Sequence, residues 1–217
     1  NSAFATVIVT VVFSVYFSEV VAKEEGITLW GRGIAFSMLT VAALSPLLGT
    51  LADFSCKKRN FLLTATLLSV FFTALLYFVE EGEIFYGLLF FVLANISYNI
   101  ALVFYDAFLK ELTPPDRLGR LSGTGWGIGY IGGFFSLLMV LPLLKGFSPE
   151  FLPLVRFSFV ATALFFLLFS LPMLIGVRDA VQSPAPSLSG TAYFKIGFRR
   201  MRETLGQMGR FRDLVLF

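Results

Sequence analysis

The 217-residue chain has no histidine and one cysteine, Cys56, and only 14% of it is charged. Each shortage excludes a class of chemistry. Without histidine there is no Ser-His-Asp triad, no Cys-His nucleophile and no ordinary zinc site. A single cysteine closes no intrachain disulfide, so cysteine usage says nothing about redox compartment. A soluble domain is roughly one quarter charged and about 45–50% apolar. This chain is 57% hydrophobic and carries 27 phenylalanines, so the expected class is all-α and polytopic in a membrane. The excess of 17 basic over 14 acidic residues belongs to short loops rather than to a nucleic-acid-binding face, because no basic patch interleaves with stacking aromatics. No catalytic residue, metal site or cofactor is expected.

What is present are apolar runs. A helical span needs roughly 20 such residues. Six candidates occur, at about 3–22, 33–52, 61–79, 84–108, 121–144 and 154–177. They are solidly apolar rather than alternating, which argues against a barrel. The connections alternate in charge. Those at 54–60, 110–120 and 178–212 hold thirteen Lys and Arg; those at 23–32, 80–83 and 145–153, with Arg156 just beyond, hold four. Cations stay on the cytoplasmic side, so both ends of the six-helix unit are expected there. A bacterial cytoplasmic membrane is the expected location. The chain starts without Met and stops in a new apolar run at 213–217, which reads as the start of a seventh span in a longer protein.

Polar residues inside the spans are the candidates for function. Ser2, Thr6, Thr10 and Ser14 recur every four residues and share one face of the first helix. They either pack or bond back within the helix, or line a wet cavity. Glu19, near the outer end, reads as an interfacial charge. On the fourth helix, Asn95, Asn99 and Asp106 fall on one narrow stripe at 3.6 residues per turn, flanked by Tyr98 and Tyr105. Amides are costly in lipid, so the stripe must face protein or water. Asn95, Tyr98 and Asn99 are therefore cavity candidates, and Asp106 is a candidate partner for a loop cation. Pro114 and Pro115 stop the helix. On the fifth helix, Gly125, Gly129 and Gly133 form a doubled small-xxx-small face for close packing. The GxGxxG at Gly127–Gly132 is rejected as a dinucleotide site because no strand precedes it. Beyond a Pro/Ser-rich linker at 184–190, the apolar positions Phe194, Phe198, Met201, Leu205 and Met208 alternate with Lys195, Arg199, Arg200 and Arg202. This is an amphipathic helix at about 191–208, lying on an anionic leaflet or packed against further chain.

Two loops carry a family resemblance. Ser45-Pro-Leu-Leu-Gly-Thr-Leu-Ala-Asp-Phe-Ser-Cys-Lys-Lys-Arg-Asn60 resembles the connection between the second and third helices of the major facilitator superfamily. It departs from that pattern at Phe54, where a cation is usual, and at Cys56, where glycine is usual. Together with Asn1-Ser-Ala-Phe-Ala-Thr-Val-Ile8 and the stretch Pro114–Gly133, it is similar to the vacuole-effluxer-like branch, which includes fungal vacuolar amino-acid exporters. The lead that precedes Asn1 in that branch is absent here. The resemblance implies the N-terminal half of a twelve-helix transporter, with the substrate site between two halves near mid-membrane. It implies conformational-switch loops carried by Gly49, Asp53, Lys57, Lys58, Arg117 and Arg120. The expected partners are a small organic solute, amino-acid-like first, the lipid bilayer, a C-terminal six-helix half, and a coupling proton or ion. A non-transporting scaffold or receptor built from a self-associating six-helix bundle is the alternative.

Overall fold

In the computed structural model the described residues are 7–8, 11–54, 58–176, 195–199, 202–203 and 206. Among them every regular element is helical, joined by short turns. We label the helices α1 (Val12–Val21), α2 (Gly26–Phe54), α3 (Lys58–Leu75), α4 (Ile84–Leu112), α5 (Pro115–Val140) and α6 (Leu152–Gly176). Short 3-10 turns follow α1, α3 and α5 at Lys23–Glu25, Leu76–Phe78 and Leu141–Leu143. Helices α2 to α6 are each long and apolar enough to cross a bilayer. Helix is the form these runs must take, because hydrocarbon offers no partner for an unpaired backbone N–H or C=O. The chain is an integral membrane protein.

The last turn of α1 is wound wide. Residues Phe17–Val21 are π-helical, and Ala22 donates its N–H to the Phe17 carbonyl five residues back, at 2.9 Å. This single π turn brings the backbone of Ser18 against Gly26, the first residue of α2. The α1–α2 hairpin is therefore closed backbone to backbone. α2 also begins well before the apolar run that starts at Gly33. Its first turns look like a loop in sequence, with Gly31, Arg32 and Gly33, but Trp30 anchors them. The Trp30 ring lies 4.0 Å from that of Phe91 and 5.5 Å from that of Phe13, centroid to centroid.

α4 is the central helix. It packs against α2 on one side and α3 on the other, and α3 in turn packs against α6. α5 touches α4 and α6 more lightly. Two apolar clusters fill the bundle. One holds Phe13, Tyr16, Phe17, Phe91, Phe159 and Phe166. The other holds Leu48, Leu62, Ala65, Phe104, Phe108 and Leu174. Lipid is as apolar as these side chains, so close packing, not escape from water, holds such helices together. Small hydroxyl residues are buried on both α3 and α6: Thr66, Ser69 and Thr73 on α3, Ser158 and Thr162 on α6. Thr73 and Thr162 bond back to the carbonyls of Ser69 and Ser158, at 2.6 and 2.7 Å. In these two the hydroxyl donor is satisfied within its own helix, whereas Ser69 Oγ is buried without a hydrogen-bond partner among the described residues.

At the end of the bundle where α1, α3 and the start of α6 meet, charge and hydrogen bonds tie the chain. Arg156 at the start of α6 donates through Nη1 to Glu80 Oε1 at 2.5 Å, and its guanidinium sits 5.8 Å from the centre of the Tyr77 ring. Tyr16 donates its hydroxyl to the Val79 carbonyl at 2.8 Å, and Gly82 donates its N–H to Val21. Lys23 pairs with Glu81. The Arg156 side chain is only 20% exposed whereas Glu80 is 66% exposed, so most of what Arg156 contributes is its own shielded contact with Tyr77 and Glu80. Arg156→Met should lower stability by about 1–2 kcal/mol. Thermal unfolding of the purified full-length protein checks this; an unchanged melting temperature would show that water carries the network.

Candidate functional site

The polar stripe of α4 lies against α2. Asn95 is 1% exposed, and its Nδ2 donates to Ser37 Oγ on α2 at 2.6 Å. Ser37, itself buried, donates to the Ile34 carbonyl at 2.8 Å. One turn further along α4, Asn99 donates through Nδ2 to the Asn95 carbonyl at 2.8 Å and to Asn95 Oδ1 at 3.2 Å. The result is a continuous chain of neutral hydrogen bonds from α2 through Asn95 to the half-buried Asn99. Asp106, lower on the same stripe, is exposed. The stripe therefore moves from a helix-helix contact at Asn95 to an exposed side at Asp106, with Asn99 at the transition. Such groups can recognise a solute by hydrogen bonds; Asn95, Ser37 and Asn99 supply no charge.

The other candidates are placed as follows. Tyr98 turns toward α6, its ring edge-on to Phe166 at 6.5 Å. Ser14 is half-buried on α1, while Thr6 and Thr10 lie outside the described residues. Of the loop between α2 and α3, Gly49 lies within α2 with nothing within 4 Å of where a Cβ would stand. Asp53 is in the last turn of α2, and Lys57 lies outside the described residues. Lys58 opens α3 and is buried. Arg117 and Arg120 are exposed in the first turns of α5, and Arg117 lies 3.8 Å from its neighbour Asp116. On the glycine face, a Cβ on Gly125 would stand 3.3 Å from the Tyr105 hydroxyl. Gly129 is half-buried and Gly133 buried, and buried Ser136 and Val140 continue the same face.

Two partners could not be found from the sequence. Ser37 is one serine among several on an apolar helix, and only the α2–α4 register aims it at Asn95. Arg59 donates through Nε to the Leu174 carbonyl at 3.0 Å, which joins the start of α3 to the C-terminal end of α6. A cation near the last carbonyls of a helix is favourable there. The clustering of Lys57, Lys58 and Arg59 was a signal for a cytoplasmic turn, but nothing local distinguishes Arg59 as the one that reaches α6.

A bundle of apolar helices around a neutral, hydrogen-bonding stripe defines a polytopic membrane protein. The comparisons agree. A family described as vacuole effluxer Atg22-like matches residues 12–217. The chain is 32% identical to the uncharacterized MFS-type transporter YxiO of Bacillus subtilis (strain 168), covering 100% of this chain and 52% of that protein. It is 31% identical to an uncharacterized protein of Aquifex aeolicus (strain VF5), covering 84% of this chain and 45% of that one. No solved structure matches the chain at a significant level. This chain belongs to the vacuole effluxer Atg22-like family, an effluxer-like branch of the major facilitator transporters. It spans about half the length of the curated relatives it matches.

Proposed function

We propose that this chain forms one six-helix half of a secondary transporter for small organic solutes, amino-acid-like ones first. The observation that carries this is the Ser37–Asn95–Asn99 hydrogen-bond chain. It sets neutral donors and acceptors within a bundle whose relative is an MFS-type transporter twice its length. In that reading residues 1–177 are the bundle and 178–212 link the halves. The amphipathic helix at about 191–208 lies in that link, and 213–217 open a seventh span. The solute sits between halves and passes by alternating access, one half rocking against the other. Ser14 on α1, with Thr6 and Thr10 of the sequence before it, would offer hydroxyls as an opposing wall. Neutral groups suit a neutral or zwitterionic solute better than a phosphate or a dicarboxylate. The test is flux through liposomes holding the full-length protein, with and without a proton gradient. The panel compares zwitterionic amino acids with phosphates and dicarboxylates. Accelerated flux of a zwitterion is expected; no acceleration for any amino acid overturns the assignment.

The alternation of thirteen against four cations supports a bacterial cytoplasmic membrane with both ends of the bundle inside. Cys56 should then be shielded from an impermeant maleimide in intact cells, while a cysteine placed at Gly82, in a Cys56→Ser background, should label. Outside labelling at position 56 reverses the orientation.

A further inference from the structure

The segment after α6 returns to α2. Residues 195–199 are helical, and Gly197 is buried. A Cβ on Gly197 would stand 2.3 Å from the carbonyl oxygen of Pro46, 2.7 Å from its carbon and 2.7 Å from Thr50 Oγ1. Two of these are backbone atoms that cannot swing aside, so only glycine allows the approach. The point of contact is unusual in its own helix. Pro46 lies inside α2 and has no N–H to give the carbonyl one turn back, so α2 lacks a rung there. Thr50 donates its hydroxyl to the Pro46 carbonyl at 2.8 Å, a bond of the kind that bends helices. The contact also falls on a distinct face. Gly33, Ser37, Leu48 and Ala52 are the buried side of α2 that meets α4; at 100° per residue Pro46 and Thr50 stand on the opposite side. That side, with Ala35, Leu39, Ala42 and Ala43, is exposed. Yet Thr50 is only 2% exposed.

We propose that residues 195–199 are a strap across the bundle-distal face of α2, seated on Pro46 through Gly197. The strap covers the softest point of α2 and limits its bending while seated. Where a second bundle closes on that face, it and the strap exclude each other at Pro46, so the strap is a gate on closure. This last consequence rests on the two-half reading; the seating does not.

The test is a distance measurement by pulsed electron spin resonance on the full-length protein in liposomes. Spin labels are placed at Ala43→Cys and Lys195→Cys in a Cys56→Ser background. A narrow distance population is expected with Gly197 present. Gly197→Leu should convert it to a broad, longer distribution at an unchanged melting temperature. A broad distribution with Gly197 intact overturns the strap, and so does a narrow one retained in Gly197→Leu. If Gly197→Leu does not fold, Gly197→Ala replaces it, since its Cβ already meets the Pro46 carbonyl, and the same two outcomes decide. The distances report seating whether or not the protein moves a solute, so failure of the flux assay and failure of the strap are read separately.

Discussion

Gly26→Ala should destabilise the protein by about 2–3 kcal/mol, the upper end of what forced overpacking costs. A Cβ on Gly26 would stand 2.5 Å from both the Cα and the carbonyl oxygen of Ser18. These atoms belong to the π-helical turn of α1, and no side chain is available to move aside. Either the turn rewinds or the α1–α2 hairpin opens, and both disturb the packing of Phe13 and Phe17 on Trp30. Gly31 is the internal control. It lies in the same helix with nothing within 4 Å of a Cβ, so Gly31→Ala should be neutral or stabilise by up to about 1 kcal/mol, as expected for glycine replaced in a helix. Melting temperatures of the two purified full-length variants decide the matter. Equal shifts would show that the Ser18 contact does not govern the hairpin.

Asn99→Leu should weaken solute binding by about tenfold with little change in melting temperature, and Asn95→Leu should do the reverse. Asn95 is buried and spans the α2–α4 contact through Ser37. Its loss leaves Ser37 bonded to Ile34 and Asn99 bonded to the Asn95 backbone. The stability loss should therefore be modest, about 0.5–2 kcal/mol, as for other hydrogen bonds between membrane helices. Asn99 is half-buried at the end of the chain of bonds. If it meets the solute, its replacement strands a polar group of that solute, and about 1.4 kcal/mol is tenfold in affinity. Affinity measured on both well-folded variants separates the roles. Wild-type affinity in both would remove α4 from the site and leave the stripe as packing.

The helices were legible because their causes are local. Apolar runs must become helices in lipid wherever they occur, and 3.6 residues per turn places Asn95, Asn99 and Asp106 on one stripe without reference to anything else in the chain. The start of α2 was not legible, because Gly31, Arg32 and Gly33 look like a loop until Trp30 is seen against Phe91, far along the sequence.

From the sequence alone followed an all-helical membrane chain, its family, and the neutral stripe that makes α4 the functional candidate. Tertiary structure alone decided the partners. Asn95 meets Ser37, Arg156 meets Glu80, Arg59 meets Leu174 and Gly26 meets Ser18. The reason is geometric. A helix's period is written in neighbouring residues, but which face meets which neighbour depends on the rotation, tilt and register of two separate helices. Those are set by the packing of all of them at once.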